Sequence, residues 1–206
     1  MIGTYTLNVS AKLTLFNDYL KGLSFLHQKG IMHRDINPNN LTVTSLDDPK
    51  GVIIDLDSAT MEEWSFDHMR GTVAYLAPEI VALKVSQDLK PYERSVDSWA
   101  LGLSMYAMVN DQRFSWNHFR PGYRPSSQTV TPQLHAEFHR RISKLRPVMQ
   151  DGPLDLCLSL IEGMTKYDAD SRDSLSTASR ALLKKSDQIL NPRITLRSSQ
   201  KRAREE

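Results

Sequence analysis

The stretch 95–109 constrains this chain most. Val96, Trp99, Ala100, Leu101, Leu103, Met105, Tyr106 and Met108 fall on nearly every side of a helix. A helix apolar all round is buried, not half-wet. It has to be surrounded, so the remaining residues must supply a shell of further elements. With 206 residues, 40% of them apolar and 24% charged, the composition is that of a soluble globular domain. The net charge is +2, from 26 Lys and Arg against 24 Asp and Glu. That bulk charge gives no field for a nucleic-acid partner. The single cysteine, Cys157, excludes a disulfide scaffold and a Cys-based zinc site, and it suits a reducing compartment. Its neighbours are apolar, so it reads as core. The longest uncharged apolar run, 99–109, has 11 residues and cannot span a bilayer. No signal-peptide pattern opens the chain. The expectation is an intracellular, cytoplasmic protein with no membrane partner.

The shell is legible in outline. Apolar residues at 13, 16, 19, 20, 23 and 26 repeat with the helical period. Gly22 weakens that helix by about 1 kcal/mol relative to alanine, and Gly30 reads as its stop. Residues 41–43 and 52–54 are short β-type runs, separated by the turn-like Asp47-Asp48-Pro49-Lys50-Gly51. They predict a small hairpin. Residues 55–79 lack a sustained period and read as a long ordered loop, which is usually functional. Residues 110–132 carry Pro121, Gly122, Pro125 and Pro132 and read as irregular. Helices are expected at 133–146, 153–165 and 174–185. Residues 184–206 hold seven Lys or Arg and three Asp or Glu, a local +4, and read as a disordered basic tail after a domain at 1–183. The fold class is mainly α, a helical bundle with one small hairpin.

The chemistry concentrates in His33-Arg34-Asp35-Ile36-Asn37-Pro38-Asn39-Asn40. A loop after a helix brings Asp35 and Asn40 together. The hairpin then returns the chain so that Asp55 faces them. All three side chains carry oxygen acceptors. Further along stand Asp55-Leu56-Asp57, Gly71-Thr72, Ala77-Pro78-Glu79 and Asp97-Ser98-Trp99. In this order and spacing the chain, over about residues 13–183, resembles the large C-terminal lobe of the eukaryotic protein-kinase family, Ser/Thr type. The resemblance implies an α+β family fold, ATP and Mg²⁺ as cofactors, and a protein substrate phosphorylated on serine or threonine. It implies Asp35 as the base, with Asn37 and Thr72 assisting near the attacking hydroxyl. Asn40 and Asp55 would hold Mg²⁺ and the nucleotide phosphates. His33 and Leu56 would stack beneath the site, and Asp97 would hold the catalytic-loop backbone. Glu79 would pair with Arg172 as scaffold, and Arg34 would meet an activation-loop phosphate.

The chain also departs from that pattern. Asn37 stands where Ser/Thr kinases usually carry lysine; a lost transition-state donor costs about 10²–10³ in rate. Asp57 replaces a glycine. The position four residues before Thr72 is His68, which has no hydroxyl. Asp67 beside it could supply the charge, or Thr60 or Ser65 could be modified instead. No Gly-x-Gly-x-x-Gly occurs, and Lys12 reads as a solvated helix-start lysine. The small nucleotide-binding lobe is therefore missing from this sequence, as in a truncated kinase. ATP binding would need that lobe supplied, and the bare face would expose apolar surface to a partner. The alternative is a pseudokinase-like module that binds a protein through this lobe. His135 and His139 sit at i, i+4, but Ala136 stands where the zinc-protease pattern needs Glu. Lys184-Lys185 and Lys201-Arg202-Ala203-Arg204 resemble a split nuclear-import signal with a 15-residue gap, which leaves the nucleus open.

Overall fold

A computed structural model describes residues 7–45, 48–85, 90–120, 129–146 and 152–190, with the side chains of the last helix as far as Lys184. In chain order the elements are α1 (Val9–Gln28), β1 (Leu41–Val43), β2 (Gly51–Ile53), α2 (Pro78–Val85), α3 (Ser95–Val109), α4 (Pro132–Leu145), α5 (Pro153–Met164) and α6 (Leu175–Leu190). The mainly helical architecture with one hairpin agrees with the sequence reading. Among the described residues, no helix is long and apolar enough to cross a membrane.

The helix α3 is the axis of the bundle, and all but three of its residues are buried, Trp99 completely. It lies against α5, and α1 closes the core together with α5 and α6. The α3–α5 approach depends on Gly102, where a Cβ would stand 2.6 Å from Thr165 Cγ2. Side chains of α1 at 13, 16, 19, 20 and 23 form its inner stripe, as the spacing predicts. Asn8 starts that helix by accepting the Ala11 amide on its Oδ1 (2.8 Å), a conventional N-cap. β1 and β2 pair antiparallel with Leu41 opposite Ile53. The helix α1 pins this hairpin twice: Asp18 Oδ2 accepts the Gly51 amide at 3.0 Å, and Tyr19 OH donates to Thr42 O at 3.1 Å.

Three features depart from the sequence reading. Lys12 is not solvated: it is 5% exposed, and its Nζ donates to Asp111 Oδ2 (2.7 Å) and Val109 O (3.3 Å). The C-terminus of α3 attracts a cation, and Asp111 completes the pair while the aliphatic stem packs inward. Second, α2 starts at the last two residues of the expected loop and runs on through a stretch where the sequence reading placed no element, its first turn opened by Pro78, a residue preset for that position. Third, α6 continues through Leu190, five residues past its expected end. The rest of the basic tail, including 201–204, lies outside the described residues.

Segment 110–120 is irregular but densely packed. Phe114, Trp116 and Phe119 gather around Tyr106 and Phe138 with ring centroids 4.9–6.1 Å apart. Trp116 Nε1 donates to Ala74 O at 3.0 Å, which fixes the short 3₁₀ turn Val73–Tyr75. Cys157 is fully buried, and burial pushes its thiol up to about 12.

Two sets of polar contacts tie these elements together, one on the buried Arg172 and one on the half-buried His135 and His139. Arg172 donates through Nη1 and Nη2 to both oxygens of Glu79 (2.6 and 2.7 Å). Its remaining donors go to Ser95 O, Tyr167 O and Lys166 O, so all five N–H groups have acceptors. The guanidinium also lies over Trp99, 5.0 Å from the ring centroid. His135 and His139 share one acceptor. Both aim Nε2 at Thr165 O, at 2.7 and 2.9 Å, the carbonyl that ends α5. A carbonyl only accepts, so both rings carry the proton on Nε2.

Replacing Arg172 with leucine leaves Glu79 without its partner, and urea unfolding should show a loss of about 3–5 kcal/mol. Burial, with His139 and Arg172 nearby, depresses the pKa of His135 to about 4 despite its bond to Thr165. The unfolded chain takes up that proton near pH 6.5. Stability is therefore complete above about pH 6.5 and falls as pH drops toward 4. His135→Gln, which keeps a donor but cannot titrate, should flatten the Tm-versus-pH curve across that window.

Candidate active site

The site is built on Asp97, in the first turn of α3 and 1% exposed. Its Oδ2 accepts the His33 amide (2.8 Å) and His27 Nε2 (2.9 Å), and its Oδ1 accepts the Arg34 amide (2.8 Å). The loop after α1 is thereby fixed to the central helix. His27 is a partner the sequence reading missed. It follows Leu20 and Leu23 on the inner stripe of α1, and a polar residue on an apolar stripe needs a partner.

His33 is buried and bridges two segments. Its Nε2 donates to Ile54 O (3.1 Å), and its Nδ1 accepts the Asp35 amide (3.3 Å). The Ile54 amide donates to Asn40 O at 3.0 Å. Both bonds end one residue before Asp55 and bring its backbone beside the loop. Arg34 and Asp55 each adopt φ 68°, the left-handed region that side chains disfavour by about 1–2 kcal/mol.

The Asp35 carboxylate is the centre of the site. Its Oδ1 receives the Thr72 amide (2.9 Å), Thr72 Oγ1 (2.8 Å) and Asn37 Nδ2 (3.0 Å). Among the described residues, its Oδ2 receives Asn40 Nδ2 alone, at 3.3 Å. Asn40 Nδ2 also holds Asp35 O (2.9 Å). Asn37 Oδ1 accepts the Asn39 amide (2.9 Å), and its Nδ2 lies 3.2 Å from Thr72 Oγ1. Thr72 reaches Asp35 because Gly71 (φ 90°) lies flat on the loop; a Cβ there would be 2.7 Å from Arg34 O.

Asp35, Asn37, Asn40 and Thr72 are thus one hydrogen-bonded cluster. Asp55 borders it through the backbone, its carboxylate exposed, with Oδ1 accepting the Asp57 amide at 3.3 Å. Asn40 directs its amide nitrogen at Asp35, which leaves its Oδ1 as an acceptor. That oxygen and the Asp55 carboxylate are hard donors that fit Mg²⁺.

Leu56 does not stack beneath His33, contrary to the sequence reading. The left-handed turn at Asp55 carries it to the surface, where it is 50% exposed beside the exposed Val52 and Ile54. Arg34 meets Asp67 Oδ2 at 3.5 Å. Ser65 is buried in an isolated bridge with Tyr92, and Thr60 bridges Met32. Asp67 ionises below the usual carboxylate range: burial opposes this, but the Met69 amide, Arg70 and Arg34 outweigh it.

Comparison with known proteins identifies the family. The family described as protein kinase domain matches residues 6–184. Human calcium/calmodulin-dependent protein kinase type 1B is 27% identical over 182 residues, covering 87% of this chain and 48% of that protein. Calcium/calmodulin-dependent protein kinase type 1 of Macrobrachium nipponense is 33% identical over 109 residues, 52% of this chain and 29% of that protein. The chain spans about half or less of the length of these relatives. The family match covers most of the chain, and its loop, hairpin and central helix converge on one carboxylate: the chain belongs to the protein kinase family.

Proposed function

We propose that the chain carries the catalytic and substrate-facing half of a Ser/Thr protein kinase, transferring the γ-phosphoryl group of ATP to a protein hydroxyl. The observation that carries this reading is the asymmetry of Asp35. Three donors hold Oδ1, and one longer contact reaches Oδ2. Oδ2 is the oxygen available to a substrate hydroxyl. As the hydroxyl attacks, its O–H proton would pass to Asp35 Oδ2 and its oxygen would bond the γ-phosphorus of ATP while the bond to the β,γ-bridging oxygen breaks and ADP leaves.

Mg²⁺-bound ATP supplies that group and offsets its charge when bound. Asn40 Oδ1 and the Asp55 carboxylate would hold the metal. The residues present fit the metal and phosphate end of the nucleotide; none of the described residues is assigned to adenine. Thr72 and Asn37 fix the carboxylate plane, which lowers the cost of orienting the reactants. Asn37 brings no positive charge, so transfer is slower than with a cation at this place. The lone buried thiol Cys157 supports an intracellular setting.

A second reading is a protein-binding module without catalysis. Val52, Ile54 and Leu56, exposed beside the site, favour it together with Asn37. Phosphoryl transfer from Mg-ATP to serine, threonine and tyrosine peptides, with the small nucleotide-binding lobe supplied, separates the two. The kinase reading expects transfer to serine or threonine only. It also expects Asp35→Asn to cut the rate by about 10²–10⁴, the usual worth of a general base. Equal rates for wild type and Asp35→Asn would leave the binding module standing.

A further inference from the structure

Between β2 and α2 the chain has little regular structure, yet it must deliver Thr72 to Asp35. Two isolated antiparallel bridges fasten it, Met32 with Thr60 and Ser65 with Tyr92. Asp67 lies just past the second. Its carbonyl accepts Tyr92 OH (2.6 Å), its amide donates to Ser65 Oγ (3.1 Å), and its Oδ1 accepts the Met69 amide (3.0 Å). Its Oδ2 faces two cations, Arg34 Nη1 at 3.5 Å and Arg70 Nε at 3.3 Å.

Arg34 is the residue beside Asp35, and its side chain is mostly withdrawn from water. It donates through Nε to Ser58 O (2.5 Å), and Nη1 lies 3.5 Å from Ser65 Oγ. A guanidinium in that position needs an anion. Among the described residues, the carboxylate paired with it is Asp67. The hydroxyl of Ser65 already accepts from Asp67 and Arg34 in a buried bridge, which removes it as a ready acceptor of phosphate.

We propose that Asp67 is a built-in positioning charge: its carboxylate anchors segment 58–72 on Arg34 and so sets the Thr72–Asp35 contact without covalent modification. The proposal rests on the reading of Asp35 as the base. Its consequence is a segment that is ordered as synthesised.

Amide hydrogen exchange on the full chain tests it, with Asp67→Asn and Asp67→Glu. The asparagine variant should exchange about three- to tenfold faster at the Met69 and Thr72 amides, the range expected for loss of a partly screened charge-assisted contact. Glutamate should restore most of the protection, and amides of α3 and α5 should not change. In the transfer assay, Asp67→Asn should lower kcat and leave the peptide KM unchanged. Unchanged exchange in the asparagine variant overturns the proposal, as does failure of glutamate to rescue. Faster exchange spread evenly through α3 and α5 also overturns it, because Asp67 would then support the core. A gain of protection on phosphorylation of Ser58, Thr60 or Ser65 does so too. The exchange result does not depend on catalysis: failure of the Asp35→Asn test removes the kinase reading alone, whereas unchanged exchange in an active enzyme removes the Asp67 proposal alone.

Discussion

The carboxylate of Asp97 is the constraint on which the rest of the site depends. It sits at the start of the most buried helix and is almost wholly out of water. Such a charge is tolerated only when its lone pairs are occupied. His33, Arg34 and His27 occupy them. The requirement works in both directions. The buried carboxylate demands donors, and the loop backbone has orphan amides that no helix or sheet satisfies. Each resolves the other, and the loop inherits the rigidity of the core.

From there, placement passes outward in short steps. The His33 ring carries it to Ile54, and the Ile54 amide returns to Asn40. Gly71 lies against Arg34 O and delivers Thr72 to Asp35. The left-handed conformations at Arg34 and Asp55 mark where the backbone yields to these demands. Strain of this kind persists where surrounding contacts over-determine it. Scaffold and reactive groups differ accordingly. Asp97, His33 and Arg172 are buried and fully engaged, whereas Asp55 is exposed and Asp35 keeps one oxygen lightly held.

Much of this was legible in the sequence, for identifiable reasons. The helix α3 could be placed because an all-round apolar pattern has one solution. The hairpin was legible from two short β-branched runs and the turn residues between them. The Glu79–Arg172 pair came from the family resemblance, since nothing local links residues 93 positions apart. The helix α2 was hidden because eight residues carry too few periods to register against the surrounding loop. Lys12 was misread because its partner, Asp111, lies 99 residues away, and a lysine alone does not reveal whether its stem runs inward or outward. Leu56 failed differently: the motif fixed its position in the chain, but the backbone turn at Asp55 decided its direction.

Asn37 shows how one substitution can act on two levels. Its Oδ1 accepts the Asn39 amide, while its Nδ2 reaches Asp35 and Thr72. A lysine has donors but no acceptor, so it could not close the Asn39 contact. Asparagine therefore organises the loop from within and keeps Thr72 on Asp35. On the proposed kinase reading, what it gives up is a positive charge at the point where negative charge would move between substrate and nucleotide. Preorganised charge is usually the larger contribution to phosphoryl transfer, so on that reading internal order would not compensate in rate. The geometry of Asp35 in this chain is accordingly better defined than its electrostatics. Additional positive charge at the reacting phosphate would have to come from the bound metal or from a group outside this loop.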